Sequence, residues 1–139
     1  MADLLETVVK AGNFKTLVKA VDALQLRETL RKPGIFTIFA PTDEAFAKLP
    51  EETLDSLLQD SPKLKKIVTY HIAFGDVRSD DLKQIDEVET VEGSVLAIES
   101  ADGTIKVNNA SILKTDIQTD NGTIHAIDAV LMPAIVAGK

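Results

Sequence analysis

Apolar residues recur at helical spacing along the first part of the chain. A first stripe comprises Leu4, Leu5, Val8 and Val9, and a second, after Gly12-Asn13, comprises Phe14, Leu17, Val18, Val21 and Leu24. Residues three or four positions apart lie on the same face of an α-helix. We therefore predict two helices joined by a short corner.

A short apolar run, Ile35–Ala40, follows these helices. A nearly continuous apolar run of this length is typical of a strand covered on both faces, so we predict a central strand that ends at Pro41. Thr42 then stands where a hydroxyl can cap a helix. Asp43 and Glu44 follow in the first turn, where carboxylates stabilise the positive end of the helix dipole.

The next segment is predicted to be helical, over Glu51–Gln59 and again from Ser61, with Ser61 as the cap and Pro62 at the first helical position. One face of the second helix collects Leu64, Ile67, Val68, His71 and Ile72. His71 is therefore expected to face the core. A buried imidazole needs hydrogen bonds at both nitrogens, so we predict that it links this helix to a neighbouring loop. Ser79–Leu82 is predicted to form a short capped turn.

The pattern then changes to a period of two residues, which is typical of strands. Leu96 and Ile98 alternate with Ala97 and Glu99, and Ile105 and Val107 alternate with Lys106 and Asn108, with Ala101-Asp102-Gly103 between the two runs. An Asp-Gly pair between alternating runs favours a tight turn. We predict a β-hairpin.

A second hairpin is predicted around Asn121-Gly122, between Ser111–Thr119 and Thr123–Asp128. Gly122 is expected to adopt a positive φ angle, which residues with a side chain reach only at a cost. Because side chains alternate along a strand, one face should carry Ile124 and Ala126 and the other His125 and Ile127.

Helices that precede strands, without regular βαβ alternation, favour an α+β domain with a mainly antiparallel sheet. A chain of 139 residues with 45% hydrophobic content matches the size of one hydrophobic core. We therefore expect one domain over residues 1–139.

Charge and composition exclude several partner classes. The formal net charge is −7, and the local basic group, Lys63, Lys65 and Lys66, is small. An acidic protein repels polyanions, so nucleic acid is not an expected partner. The chain has no cysteine, which excludes disulfides, thiolate catalysis and cysteine-ligated zinc.

Neither a transmembrane segment nor an export signal is visible. The longest mostly apolar stretch, Ala126–Ala137, contains Asp128 and Pro133 and is shorter than the roughly 20 residues that a membrane helix needs. Asp3 and Glu6 stand where a signal peptide requires a basic start and an apolar run. The location is left open at this point, with the cytoplasm among the alternatives.

A catalytic arrangement is not evident. His71 and His125 are the candidate bases near neutral pH, both lie on apolar patterns, and no Gly-x-Ser-x-Gly elbow is present. The acidic segment Asp116–Gly122 does not fit the register of a calcium loop. We expect no enzyme activity, cofactor or metal. The alternative is a small hydrolase or ligand carrier that uses His71 or His125 in a pocket.

Three segments together resemble the fasciclin domain family: Thr37–Phe46, Tyr70-His71 and Asn121–Leu131, in this order and spacing. The resemblance extends over essentially the whole chain. It implies a compact fold in which helices wrap around a twisted, mainly antiparallel β-sandwich. The motif residues that it assigns to the structure are Thr42, Asp43, Phe46, Asn121, Gly122, His125 and Asp128.

Known members of this family are mostly extracellular, cell-surface or periplasmic domains of adhesion and matrix proteins. The resemblance implies a non-enzymatic binding module for a cell-surface or matrix protein, a polysaccharide or copies of itself. It also implies adhesion motifs at Tyr70-His71 and Asp116-Ile117. Lys114-Thr115 stands where the animal version has Glu-Pro, which argues against receptor recognition of the animal type. The apolar pattern around both pairs instead favours a mainly architectural role.

Overall fold

A computed structural model describes residues 4–25, 36–48, 52, 55–56, 59–91, 93–101, 104–108, 110–119 and 122–131. The helices are α1 (Leu4–Ala11), α2 (Lys15–Ala23), α3 (Asp43–Ala47), α4 (Ser61–Tyr70) and α5 (Ser79–Leu82). The strands are β1 (Phe36–Pro41), β2 (Ile72–Phe74), β3 (Glu87–Glu89), β4 (Val95–Ala101), β5 (Thr104–Val107), β6 (Ala110–Thr119) and β7 (Gly122–Ile127).

The described strands form one sheet in the order β2-β1-β7-β6-β5-β4-β3. Neighbouring strands are antiparallel except β1 and β7, which are parallel. A bridge between Ala73 and Thr90 connects β2 to the residue after β3, so the two edges of the sheet meet and the sandwich nearly closes. The predicted α+β fold with a mainly antiparallel sheet is confirmed.

The parallel pair, which we call the β1–β7 seam, lies between β2 and β6. Its register runs from Phe36 opposite Gly122 to Pro41 opposite Ile127. Every residue of β7, and every residue of β1 after Phe36, is buried. The prediction of a strand covered on both faces is therefore confirmed for β1, with Pro41 as its last residue.

The seam separates two apolar cores, which take alternate residues from each strand. The helix-side core comprises Val8, Phe14, Leu17, Ala20, Val21, Ile38, Ala40, Phe46, Leu64, Val68, Ile72, Ile124 and Ala126. The sheet-side core comprises Phe39, Tyr70, Ala73, Leu82, Val88, Leu96, Ile98, Ile105, Val107, Ala110, Ile127 and Leu131. Ile124 and Ala126 therefore lie on one face of β7 and Ile127 on the other, which confirms the predicted alternation.

Helices form over both predicted stripes, although Val9, a member of the first stripe, is 49% exposed. α1 and α2 are joined at Gly12, whose φ angle is +79°, a conformation that glycine adopts without steric cost. The inward stripe of α4 and the residues after it, predicted from spacing, is buried throughout. The start of α4 was predicted one residue too late. The N-cap is Asp60, whose Oδ1 accepts a hydrogen bond from Lys63 N–H at 3.3 Å.

The other predicted elements are found where the structure describes them. Of the predicted helix Glu51–Gln59, the residues 52, 55, 56 and 59 are helical, and the others lie outside the described residues. Ser79–Leu82 forms α5. Both predicted strand pairs are antiparallel neighbours, while their turns at 102–103 and 120–121 lie outside the described residues. Along the described chain, no helix has the length and apolar character needed to cross a bilayer.

Candidate functional site

Tyr70 is the last residue of α4 and contacts the sheet-side core. Its side chain is 6% exposed. The hydroxyl accepts a hydrogen bond from Asn108 Nδ2 at 3.0 Å and donates to the Val95 carbonyl at 3.4 Å. Asn108 also accepts from Ala97 N–H at 2.8 Å. The phenol therefore links α4 to β4 and to the turn between β5 and β6.

His71 follows as the C-cap of α4 and is 2% exposed. Its Nδ1–H donates to the Ile67 carbonyl at 2.7 Å, and its Nε2 accepts from Leu131 N–H at 2.9 Å. This pair of bonds requires the neutral ring protonated at Nδ1. Burial lowers the pKa of His71 from 6.5 to about 4, although the bond to Ile67 acts in the opposite direction. The predicted inward orientation and link to a loop are confirmed.

A cavity beside His71 is too small for a substrate. Its volume is about 10 Å³, and it is lined by Val8, Leu17, Val18, Val21, Ile38, Val68, His71 and Ile72. A single water needs roughly 10–15 Å³ and two or more polar partners. The space is therefore a packing gap in the helix-side core.

His125 is fully buried in the β1–β7 seam. Its ring stacks on Phe39, with centroids 5.6 Å apart, and its Nε2 bonds the Val77 carbonyl at 2.7 Å. The Val77 carbonyl belongs to the loop between β2 and α5. The second histidine therefore serves, like the first, as an anchor for a chain segment.

Two buried threonines hold the same loop. Thr37 and Thr123 are paired across the seam and fully buried. Thr37 Oγ1 donates to the Gly75 carbonyl and accepts from Val77 N–H, each at 2.8 Å. Thr123 Oγ1 donates to the Asp76 carboxylate. These residues were missed at the sequence level, where threonine within an apolar strand run was the available signal.

Asp76 also binds Arg78, whose Nε and Nη2 both lie 3.0 Å from Asp76 Oδ2. Arg78 N–H in turn donates to Asp81 Oδ2 at 3.1 Å, at the start of α5. The loop Gly75–Arg78 is therefore held on one side by the seam and on the other by α5.

Thr42 caps α3 as predicted, since its Oγ1 accepts from Ala45 N–H at 3.2 Å. Asp43 and Glu44 stand in the first turn of α3, as predicted, and Asp43 has a second role. Its Oδ1 accepts from Thr16 N–H at 2.9 Å, at the start of α2, and its own N–H donates to the Asn13 carbonyl at 2.8 Å. Asp43 thus caps a helix distant in sequence, where the N-cap Phe14 supplies no side-chain hydrogen bond.

Phe46, Gly122 and Asp128 complete the structural motif. Phe46 is buried in the helix-side core. Asp128 Oδ1 accepts from Ser111 N–H at 2.8 Å, and its carbonyl accepts from Lys48 Nζ at 2.6 Å. These bonds join the end of β7 to β6 and α3. Asn121 lies outside the described residues.

Gly122 has a φ angle of +152°, as the positive φ prediction required. The structure adds a stronger constraint. A Cβ atom at this position would lie 1.8 Å from the Phe36 carbonyl oxygen, across the seam. Any side chain is therefore excluded, and asparagine, which the turn argument alone would tolerate, is excluded with it.

Asp116 and Ile117 lie on β6, where the pairing with β7 shifts register between Lys114 and Ile117. Ile117 stands opposite Ile124 and packs, partly buried, against the helix-side core. Tyr70 packs in the sheet-side core, so Tyr70 and Ile117 lie in different cores. Among the described residues, no group of three His, Asp or Glu could hold a metal.

Comparisons with known proteins agree on one family. The family model of the fasciclin domain matches residues 12–133. The uncharacterized protein sll1735 of Synechocystis sp. is 46% identical over 132 residues, which are 95% of this chain and 98% of that protein. Immunogenic protein MPB70 of Mycobacterium bovis is 33% identical over 127 residues, or 91% of this chain and 61% of that protein.

A solved structure has the same fold. It is a FAS1 domain pair from the insect cell adhesion molecule Fasciclin I, with a TM-score of 0.70 and 22% sequence identity. The match covers 88% of this chain and 46% of that chain.

Proposed function

Because this chain belongs to the fasciclin domain family, we propose that it is a non-enzymatic binding module of the adhesion type, acting as one domain over residues 1–139. Its partners are a cell-surface or matrix protein, a polysaccharide or further copies of itself. It works outside the cytoplasm, in the matrix, at a cell surface or in a periplasm. The cell adhesion molecule among its structural neighbours supports this class of function.

The observation that carries the proposal is that both histidines are buried and bonded to the backbone of the protein itself. His71 is held between Ile67 and Leu131, and His125 bonds Val77 and stacks on Phe39. A general base must reach the proton that it abstracts in a bound substrate. Two buried rings that bond backbone atoms support a structural role.

The alternative of a small hydrolase or ligand carrier needs a pocket beside one of these rings. Pockets for small molecules occupy about 300–1,000 Å³, whereas the space beside His71 has a volume of about 10 Å³. The geometry therefore favours the binding module over the alternative.

We further propose that Tyr70, His71, Asp116 and Ile117 chiefly maintain the fold. Tyr70 and His71 are buried and hydrogen-bonded to three other segments of the chain. Ile117 contributes to the helix-side core. Partner contacts then fall on other, exposed residues.

Binding and stability measured together test both parts. The folded chain is used as bait on intact cells and on secreted matrix, with recovery measured against a denatured sample. Saturable binding is expected, and its absence from both sources would contradict the module proposal.

His71→Ala should cost about 1–3 kcal/mol, because it leaves Leu131 N–H and the Ile67 carbonyl without their partner. Whatever fraction stays folded should still bind. An unchanged melting curve with lost binding would contradict the architectural role.

A further inference from the structure

The corner between α1 and α2 leaves a groove at the surface. Its volume is about 150 Å³, and its lining residues are Val8, Val9, Gly12, Phe14, Lys15 and Val18. Val8 and Phe14 are buried, whereas the Val9 side chain is 49% exposed. Among the described residues, apart from Gly12 and its two chain neighbours, no atom lies within 4 Å of the position that a Cβ on Gly12 would take, so the corner itself leaves the groove open.

The volume of the groove limits what it can hold. Sites for drug-sized ligands have about 300–1,000 Å³, twice this volume or more. A cavity of about 150 Å³ lined by apolar side chains accommodates a group the size of benzene. The groove therefore fits one large apolar side chain, such as leucine or phenylalanine, better than a lipid chain or a metabolite.

The charge around the groove favours a carboxylate. Lys15 lines the groove, and Lys19 lies one turn further along α2. On the two helices Lys10, Lys15 and Lys19 are matched by Glu6, Asp22 and the Asp43 carboxylate that caps α2. The charged residue that lines the groove itself is Lys15. A lysine that lines an apolar groove favours a partner with an acidic group over one with a basic group.

We propose that the α1–α2 groove binds a protein segment that carries one leucine or aromatic side chain next to a carboxylate. The apolar side chain lies between Val9 and Val18, and the carboxylate pairs with the Lys15 ammonium group. This inference rests on the proposed function and deepens it by naming the surface and the chemistry of the partner. One anchoring side chain gives a weak contact, with a dissociation constant on the order of 1 mM.

The direct test is an NMR titration of the isotopically labelled full chain with the blocked peptide Gly-Asp-Phe-Glu-Gly. Amide signals of the groove residues should shift, with saturation in the millimolar range. Replacing the phenylalanine by alanine should weaken binding at least about tenfold, because burying an aromatic ring contributes most of the free energy. Replacing both acids by lysine should weaken it about threefold or more.

Two pairs of variants assign the binding to this surface. Val9→Glu should weaken binding at least about fivefold, whereas Val95→Glu, at an equally exposed valine on β4, should not. Lys15→Glu should weaken it about threefold or more, and Lys83→Glu, at an exposed lysine after α5, should not. Equal effects within each pair, or no saturable shifts, would overturn the groove assignment.

Repeating the capture on cells and matrix with Val9→Glu separates this inference from the function on which it rests. If the parent chain captures a partner and Val9→Glu captures it equally well, the groove assignment is overturned, whereas the binding-module proposal remains. If the parent chain captures nothing from cells or matrix but still binds the peptide, the binding-module proposal is overturned and the groove assignment is not. If the parent chain self-associates and Val9→Glu abolishes that self-association, the occupant of the groove is a second copy of this chain. The proposal of a peptide segment would then be overturned.

Discussion

The β1–β7 seam buries polar side chains, whereas the α1–α2 helix pair exposes apolar ones. In the seam, Thr37, Thr123 and His125 are polar and fully buried, and each bonds the loop Gly75–Arg78. At the helix pair, Val9 is apolar and half exposed beside charged lysines. Buried polar groups fix one arrangement because each needs its partner. The seam is therefore closed to a partner, whereas the groove at the helix pair is open to one.

The largest expected effect within this comparison is at Gly122. Gly122→Ala should destabilise the protein by about 3–5 kcal/mol, because its Cβ would overlap the Phe36 carbonyl in the seam. Gly122→Asn and Gly122→Val should be similarly damaging. Urea unfolding measures the change.

Gly93→Ala is the matched control. Gly93 also has a positive φ angle, +107°, but apart from Gly93 and its two chain neighbours no atom of the described residues lies within 4 Å of the position that its Cβ would take. The substitution should cost about 1 kcal/mol. Similar losses at Gly93 and Gly122 would show that backbone conformation, and not the close approach of the strands, explains Gly122.

Acid should weaken the fold through His71. The pKa of His71 is about 4 in the folded protein and 6.5 as the ordinary value, so the unfolded chain takes up the proton first as the pH falls. The contribution of the neutral ring to the free energy of unfolding is fully present above pH 6.5. It is lost between pH 6.5 and pH 4 and does not change further below pH 4. The total is roughly 3 kcal/mol.

Comparison with His71→Gln isolates this contribution, because the variant keeps the carboxylates but lacks the imidazole. Denaturant unfolding at pH 7 and pH 4.5 should show a larger acid loss in the parent chain. Equal acid losses in both proteins would contradict the burial of a neutral imidazole.

A smaller effect is expected at Asp43, which lies on α3 and caps α2. Asp43→Ala should cost about 1 kcal/mol, since it removes the acceptor for Thr16 N–H at the start of α2. Glu44→Ala, at an exposed neighbour in the same helix, should cost a few tenths at most. If Glu44→Ala were the more damaging change, the acids would act on their own helix dipole instead.

The smallest effect is expected in the groove itself. Val9→Glu should change the free energy of unfolding by less than about 0.5 kcal/mol, because the side chain is already half exposed on a helix. Thermal and urea unfolding check this. A loss of about 2 kcal/mol or more would mean that Val9 belongs to the core, and the contrast between the seam and the helix pair would disappear.

Local patterns predicted much of the fold. The stripes of α1, α2 and α4 and both hairpins could be read from spacing, because these elements depend on neighbours in sequence. The parallel pairing of β1 with β7 and the cap from Asp43 to Thr16 could not be read in this way. Such contacts join segments distant in the chain, and apolar periodicity does not say which strand lies beside which.

The candidate site was predictable to a similar degree. The position of His71 on an inward stripe was sufficient to predict its burial, but not that its partner is Leu131, 60 residues away. The loop Gly75–Arg78 and its anchors Thr37 and Thr123 carried no local signal of their pairing. The groove likewise depends on the angle between two helices, which spacing does not determine.

The parallel seam also governs when the protein can fold. β1 ends at Pro41, yet its parallel neighbour ends at Ile127, so a ribosome must synthesise nearly the entire described chain before β1 acquires that neighbour. Contacts between such distant segments slow folding, because a long loop must close before they form. Until then β1 presents an unpaired apolar edge of the kind that promotes aggregation. Nascent chains that stop short of β7 are therefore the forms of this protein that would most need a chaperone.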